Sequence, residues 1–162
     1  CVAQILANLL PDRAATILDV GCGTGLVGGY LVGHGYSEID GLDFSTEMLD
    51  QARNKRIYQK LIQGDLNTML DIPDQTYEAG ICCGTFTHGH VKADTLDEIL
   101  RVLKSGAKFV CTIHREVWQS EGFESKFAQL KMAGVAELES MNEQPFYEYS
   151  ADDGCFCVVS RQ

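Results

Sequence analysis

No stretch of the sequence reaches the roughly 18 consecutive apolar residues that a membrane-spanning helix needs, and no secretory signal pattern is visible. Cys-x-x-Cys spacing is missing too, although there are seven cysteines. An odd count without paired spacing argues against a zinc or dithiol redox site. Cys82, Cys83, Cys111, Cys155 and Cys157 lie in apolar, strand-like runs, where a free thiol acts as a small hydrophobe. That usage predicts a reducing, cytoplasmic setting. Basic residues are in the minority, 13 against 23 acidic, for a net charge of -10. Such a surface repels phosphate backbones, so no nucleic-acid partner is expected, nor a Lys/Arg patch to offset the charge. Repeats and low-complexity tracts are absent.

What is present has an ordinary globular balance. The chain has 162 residues, 45% of them apolar and 22% charged, which excludes disorder as the main state. A chain of this size buries roughly two-thirds of its unfolded surface, so it requires no disulfide or metal staple. One domain spanning residues 1–162 is expected. The sequence opens at Cys1, inside a helical pattern and without Met, so it is expected to be a piece of a longer protein that lacks its N-terminal part. Nothing in the pattern sets an oligomeric state.

Short apolar runs alternate with helical periodicity, the pattern of a mostly parallel sheet with helices on both faces. Val2, Ile5, Leu6, Leu9 and Leu10 recur at helical spacing until Pro11-Asp12 breaks it. Strands are predicted over 16–20, 38–43, 60–63, 78–83 and 108–113. Helices are predicted over about 26–33 and from a Ser45 cap to about Asn54, with Met48 and Leu49 turned inward. Another covers 94–103 and is stopped by Lys104-Ser-Gly106. Phe123, Phe127 and Leu130 mark a further helix that Gly134 ends. Strands over 135–140 and 155–160 close the chain. The linker of about 14 residues between them suits a long hairpin, so the last strand is expected to be antiparallel. The fold class is α/β with a seven-stranded sheet.

The strongest chemical signal is Asp19-Val-Gly-Cys-Gly-Thr-Gly25, directly after the first strand. In open parallel sheets, ligands bind outside the carboxyl ends of the strands, where glycines let them reach the backbone and the next helix offers free N–H groups. The run is ambiguous by itself. Gly23-Thr-Gly-Leu-Val-Gly28 also satisfies the G-x-G-x-x-G dinucleotide pattern, and a turn without any ligand reads the same way. Asp43, ending the second strand, suits two ribose hydroxyls and belongs to either nucleotide reading. Asp65, in Gln63-Gly-Asp-Leu66, suits an adenine amino group. Asp19 stands where a bound ammonium would lie and would repel a pyrophosphate. Singly, such acids are more often solvated strand-end residues. Three of them at the ends of three successive strands, beside a glycine loop, point to a nucleotide-like ligand.

On these residues, the sequence resembles the class I S-adenosylmethionine-dependent methyltransferases over nearly its whole length. The run from Asp19 to Gly25 resembles the family's first motif, which holds the methionine part of the donor and implies contacts from Asp19, Gly21, Cys22, Gly23 and Gly25. Gly41-Leu-Asp-Phe-Ser-Thr-Glu-Met48 is similar to the second-strand motif, with Asp43 on the ribose and Phe44 and Met48 near the adenine. Gly64-Asp65-Leu66 matches the adenine-amino element, and Thr85 after the fourth strand is implied at the same site. Leu100-Arg-Val-Leu-Lys-Ser-Gly106 resembles the family's Arg-Val-Leu-Lys-Pro-Gly turn, with Ser105 in place of proline. Gly84-Thr-Phe-Thr-His-Gly-His90 looks most like the Williams–Beuren-region methyltransferase-like proteins. The resemblance implies a Rossmann-like sheet, S-adenosylmethionine as cofactor, and methyl transfer to a nucleophile. Family members usually carry further N-terminal helices that cover the donor, and this chain starts at the last of them.

The sulfonium of such a donor is already an activated leaving group. Alignment then supplies most of the rate, and a general base matters only for a protonated acceptor. His88 and His90 follow the fourth strand, on the rim an acceptor must cross, and are the candidate bases. Rim histidines are more often plain loop residues, and two ligands make no metal site. Trp118 and Phe146-Tyr147-Glu-Tyr149 either line an acceptor pocket or pack under a lid. Gly84-Thr85-Phe86 stands where methyltransferases acting on amino nitrogens of bases or glutamine carry Asn/Asp-Pro-Pro-Tyr, and no Pro-Cys pair is present for attack on cytosine. A small-molecule acceptor is expected. Two other readings stay open. An NAD(P)-dependent oxidoreductase would use Gly23 to Gly28 and Asp43 but leave Asp19 and Asp65 without a role. A non-catalytic partner subunit would bind the donor and transfer nothing.

Overall fold

Ile17–Val20 (β1) is buried at all four positions, as a parallel strand covered on both faces must be. The computed structural model describes residues 1–87, 91–145 and 153–162. His88, His90, Phe146, Tyr147 and Tyr149 lie outside these residues. Around β1 the chain forms α1 (Val2–Leu9), α2 (Leu26–Gly33), β2 (Ile39–Asp43), α3 (Thr46–Lys55), β3 (Lys60–Gln63) and β4 (Tyr77–Phe86). It continues with α4 (Thr95–Val102), β5 (Leu103–His114), α5 (Arg115–Ser120), α6 (Phe123–Met132), β6 (Ala136–Pro145) and β7 (Asp153–Arg161). Ser45 caps α3 as expected, its Oγ accepting from the Met48 N–H at 3.3 Å.

The seven strands lie in the order β3-β2-β1-β4-β5-β7-β6. All neighbours from β3 to β5 are parallel, whereas β7 runs antiparallel to both β5 and β6. Side chains alternate between two cores, as period-two strands require. Ile17, Ile39, Ala79, Ile81 and Val110 pack with Val2, Leu6 and Leu31 of α1 and α2. Leu18, Val20, Cys82, Phe109 and Cys111 pack with Leu96, Val117, Phe123 and Phe127 of α4 to α6. Strand order changes direction between β1 and β4, which opens a crevice beyond their carboxyl ends.

Several boundaries differ from the pattern-based expectation. β4 runs on to Phe86 because Gly84, at φ 81, allows a bulge in its pairing with β5. Lys104-Ser-Gly106 ends α4 without leaving the sheet, since β5 already begins at Leu103. Helix α5 was not expected at all. Its Trp118 stacks at 5.7 Å on Phe127 and packs against the core of α4 to α6, so it is a packing residue. Met48 does not turn inward: it is 42% exposed, while Leu49 and Ala52 form the buried side of α3. Among the described residues, no helix is long and apolar enough to cross a membrane.

Candidate functional site

The carboxyl ends of β1, β2, β3 and β4 surround a cavity of about 740 Å³. Eight of the residues singled out in the sequence line it: Gly21, Gly23, Asp43, Phe44, Met48, Asp65, Leu66 and Thr85. Asp19, Cys22 and Gly25 do not line it. Cys22 and Gly25 turn into the protein, and Asp19 lies behind the loop, 1% exposed. Leu42, Ser45, Asn67, Cys83 and Val91 line the cavity without having been anticipated. Leu42, Ser45 and Asn67 are chain neighbours of the predicted residues, whereas no spacing rule marks Cys83 and Val91, which only the sheet brings to the cavity.

The loop after β1 is held from both sides. Gly21 (φ 67) sits against Thr85, and a Cβ there would overlap the Thr85 side chain. The Thr85 hydroxyl donates to the Val20 carbonyl at 3.3 Å, so the β4 bulge places Thr85 as a brace for the loop as well as a lining residue. Gly23 (φ 52) has open space where a side chain would be. A ligand can therefore reach the main chain at that position.

Asp43 works within the fold as well as facing the cavity. Its Oδ2 accepts from the Gly23 N–H at 2.8 Å and its Oδ1 from the Ser45 N–H at 2.9 Å. Each oxygen keeps a further acceptor site. Asp65 Oδ1 accepts from the Asn67 backbone N–H at 2.9 Å, which shapes the turn after β3. That turn is anchored from below by Arg101 on α4, whose guanidinium reaches the Leu70 and Ile72 carbonyls and the Glu98 and Asp74 carboxylates.

Asp19 is the most perturbed carboxyl group among the described residues. Burial pushes its pKa from 3.8 up to about 6, helped by the Asp43 charge and opposed by bonds from Tyr58 and the Gly28 N–H. Its Oδ1 is buried without a hydrogen-bond partner among the described residues. Burial, with the Asp19 charge behind it, raises the Cys22 thiol to about 12, and burial raises that of Cys83, so neither is a nucleophile near neutrality.

Matches to known proteins agree with this geometry. A model of the family described as a methyltransferase domain matches residues 18–111, more than half of the chain. Methyltransferase-like protein 27 of Homo sapiens is 34% identical over 142 residues, covering 85% of this chain and 56% of that protein. The chain belongs to the class I S-adenosylmethionine-dependent methyltransferases. This chain thus spans about half the length of its human relative. A TehB-like S-adenosylmethionine-dependent methyltransferase from Corynebacterium glutamicum superposes with a TM-score of 0.77 at 23% identity, over 99% of this chain and 87% of that one. The [4+2]-cyclase SpnF superposes nearly as well, with a TM-score of 0.76 at 18% identity, over 99% and 79%. Likeness at that level shows the fold and leaves the chemistry to the site.

The family's donor carries a sulfonium, an ammonium and an adenine ring. A cavity lined by Asp43 and Asp65, with Phe44 and Met48 exposed at 71% and 42% beside them, fits that combination. The methyltransferase family displaces the oxidoreductase reading.

One expectation is corrected elsewhere on the surface. Despite the acidic balance, Arg53, Arg56 and Lys60 converge on a cavity of about 370 Å³ between α3 and β3. The segment 53–60 holds four of the chain's basic residues. Arg53 pairs with Asp50 at 2.5 Å, and the other cations have no carboxylate partner among the described residues. Basic side chains at the end of α3 also complement its dipole.

Proposed function

We propose that the chain is one S-adenosylmethionine-binding catalytic domain, and that it moves a methyl group to a nucleophile on a small molecule. The observation that carries this reading is the acid-lined cavity at the switch point of the sheet. When bound, the donor supplies an activated methyl group on sulfur. Everything else falls to the chain's own residues. Gly23 leaves the main chain open to the methionine part and Gly21 lines the cavity beside it, while Cys22 and Gly25 shape the loop from inside. Asp43 has acceptor sites left for ribose hydroxyls, and Asp65 for an adenine amino group. Phe44, Met48 and Leu66 give the adenine apolar contact, and Thr85 braces the loop. Asp19 offers negative charge behind the loop for the ammonium.

His88 and His90 follow β4 in the sequence and serve as the base when the acceptor arrives protonated. An acidic surface and the missing Asn/Asp-Pro-Pro-Tyr run favour a small-molecule acceptor over nucleic acid. All seven cysteines are free, which supports a reducing, cytoplasmic setting.

Calorimetry with S-adenosylhomocysteine and NAD tests the donor. Heat from the first and none from the second is expected, and the reverse would sink the reading. Isotope transfer from labelled S-adenosylmethionine into small-molecule pools and into total RNA tests the acceptor. Label confined to RNA would overturn the small-molecule assignment, and donor binding without any transfer would favour a non-catalytic subunit.

A further inference from the structure

Tyr58 lies in the loop between α3 and β3, outside every motif in the sequence. Its ring passes beneath the glycine loop, and its hydroxyl donates to Asp19 Oδ2 at 2.6 Å. Glycines make the room for it. A Cβ on Gly28 would lie 2.6 Å from Tyr58 Cζ, one on Gly25 3.1 Å from Cε2, and one on Gly41 3.2 Å from Cδ1. Gly25 and Gly28 therefore admit a phenol ring, although their spacing reads as a ligand-binding pattern.

We propose that Tyr58 is a positioning residue for donor binding: its hydroxyl orients the Asp19 carboxylate, and its ring seats the first turn of α2 under the glycine loop. The proposal rests on the donor-site reading of Asp19 given above. Asp19 has no other hydrogen-bonding side chain among the described residues, and its second oxygen is unpartnered. The titratable groups that face it are Asp43 from β2, Cys22 from the loop, Cys82 and Cys83 from β4, and Tyr58 itself. None of these is cationic. The phenol is thus the side chain that favours the ionised carboxylate in an otherwise anionic or apolar setting. A phenylalanine would fill the same space and leave that charge unsupported.

Tyr58→Phe tests the idea, with S-adenosylhomocysteine affinity measured by calorimetry from about pH 5 to 8.5. About tenfold weaker binding is expected at neutral pH, equivalent to about 1.4 kcal/mol. The pH below which affinity falls should also move upward from the wild-type value of about 6, because a bond that lowers the Asp19 pKa is gone. In the Asp19→Asn background the same substitution should change affinity little. Gly28→Ala, which pushes the hydroxyl aside without removing it, should reproduce the loss.

Two results would overturn the proposal. One is wild-type affinity and pH profile in Tyr58→Phe while Asp19→Asn binds weakly. The other is a loss equal at every pH that persists in the Asp19→Asn background, the mark of a purely structural ring. Failure of the underlying reading looks different: wild type does not bind the ligand, or Asp19→Asn binds it as tightly as wild type.

Discussion

Asp19→Asn removes one ionisation from the core of the folded chain. The carboxyl's pKa is 3.8 by itself and about 6 in the fold. Between those values the folded chain holds a proton that the unfolded chain has released. Stability from this group is therefore complete below about pH 4 and is lost as pH rises through about 6. A gap of about 2 units corresponds to about 3 kcal/mol. Asparagine does not titrate in this range, and the other titrating groups are common to both proteins. The stability of the variant relative to wild type should thus rise by about 3 kcal/mol between about pH 4 and pH 8. A buried amide N–H without an acceptor costs about 1–3 kcal/mol, which offsets the whole curve and leaves its slope alone. Urea unfolding at closely spaced pH values reads the difference, provided the denaturant slope is unchanged. Donor affinity should fall in the same variant, so binding and alkaline stability move in opposite directions. A difference in stability that stays flat across the range would refute the reasoning, because it would mean that water already reaches the carboxylate.

Asp43→Ala should weaken S-adenosylhomocysteine binding at least tenfold by calorimetry, and it should also lower stability by about 1–3 kcal/mol, since the Gly23 and Ser45 backbone N–H groups each lose a carboxylate acceptor. Gly21→Ala combines a left-handed φ of 67 with overlap onto Thr85, so a loss of about 1–3 kcal/mol is expected in thermal unfolding together with weakened donor binding. Arg101→Met should cost about 2–4 kcal/mol in urea unfolding, because Glu98 keeps its charge in a half-buried position and the turn after β3 loses its anchor. His88→Gln and His90→Gln should lower the chemical rate without changing donor affinity, with the effect shrinking as pH rises; equal rates across pH would return both to the loop.

Several features were legible in the residue pattern because their causes are local. The buried run at β1 and the Ser45 cap are set by neighbours a few positions apart, and so is the glycine turn. The acids Asp43 and Asp65 were legible because strand ends in a parallel sheet all face one crevice. Where local cause ended, so did the reading. Met48 sits on the inward stripe of a helical wheel, yet the cavity edge leaves it exposed. The basic cluster on α3 and β3 went unread against a net charge of -10, because overall charge says nothing about where like charges gather.

Sequence alone determined the seven strands and every helix but α5, the acidic character of the candidate site and the family, since periodicity and short motifs travel with the chain. Tertiary structure alone decided that Thr85 braces Gly21 across β4 and that Asp43 spends part of its hydrogen bonding on the loop. It alone brought Tyr58 to Asp19, 39 positions away in the chain. Such contacts depend on the sheet's register and on which side chains share a buried volume, and no spacing along one chain encodes either.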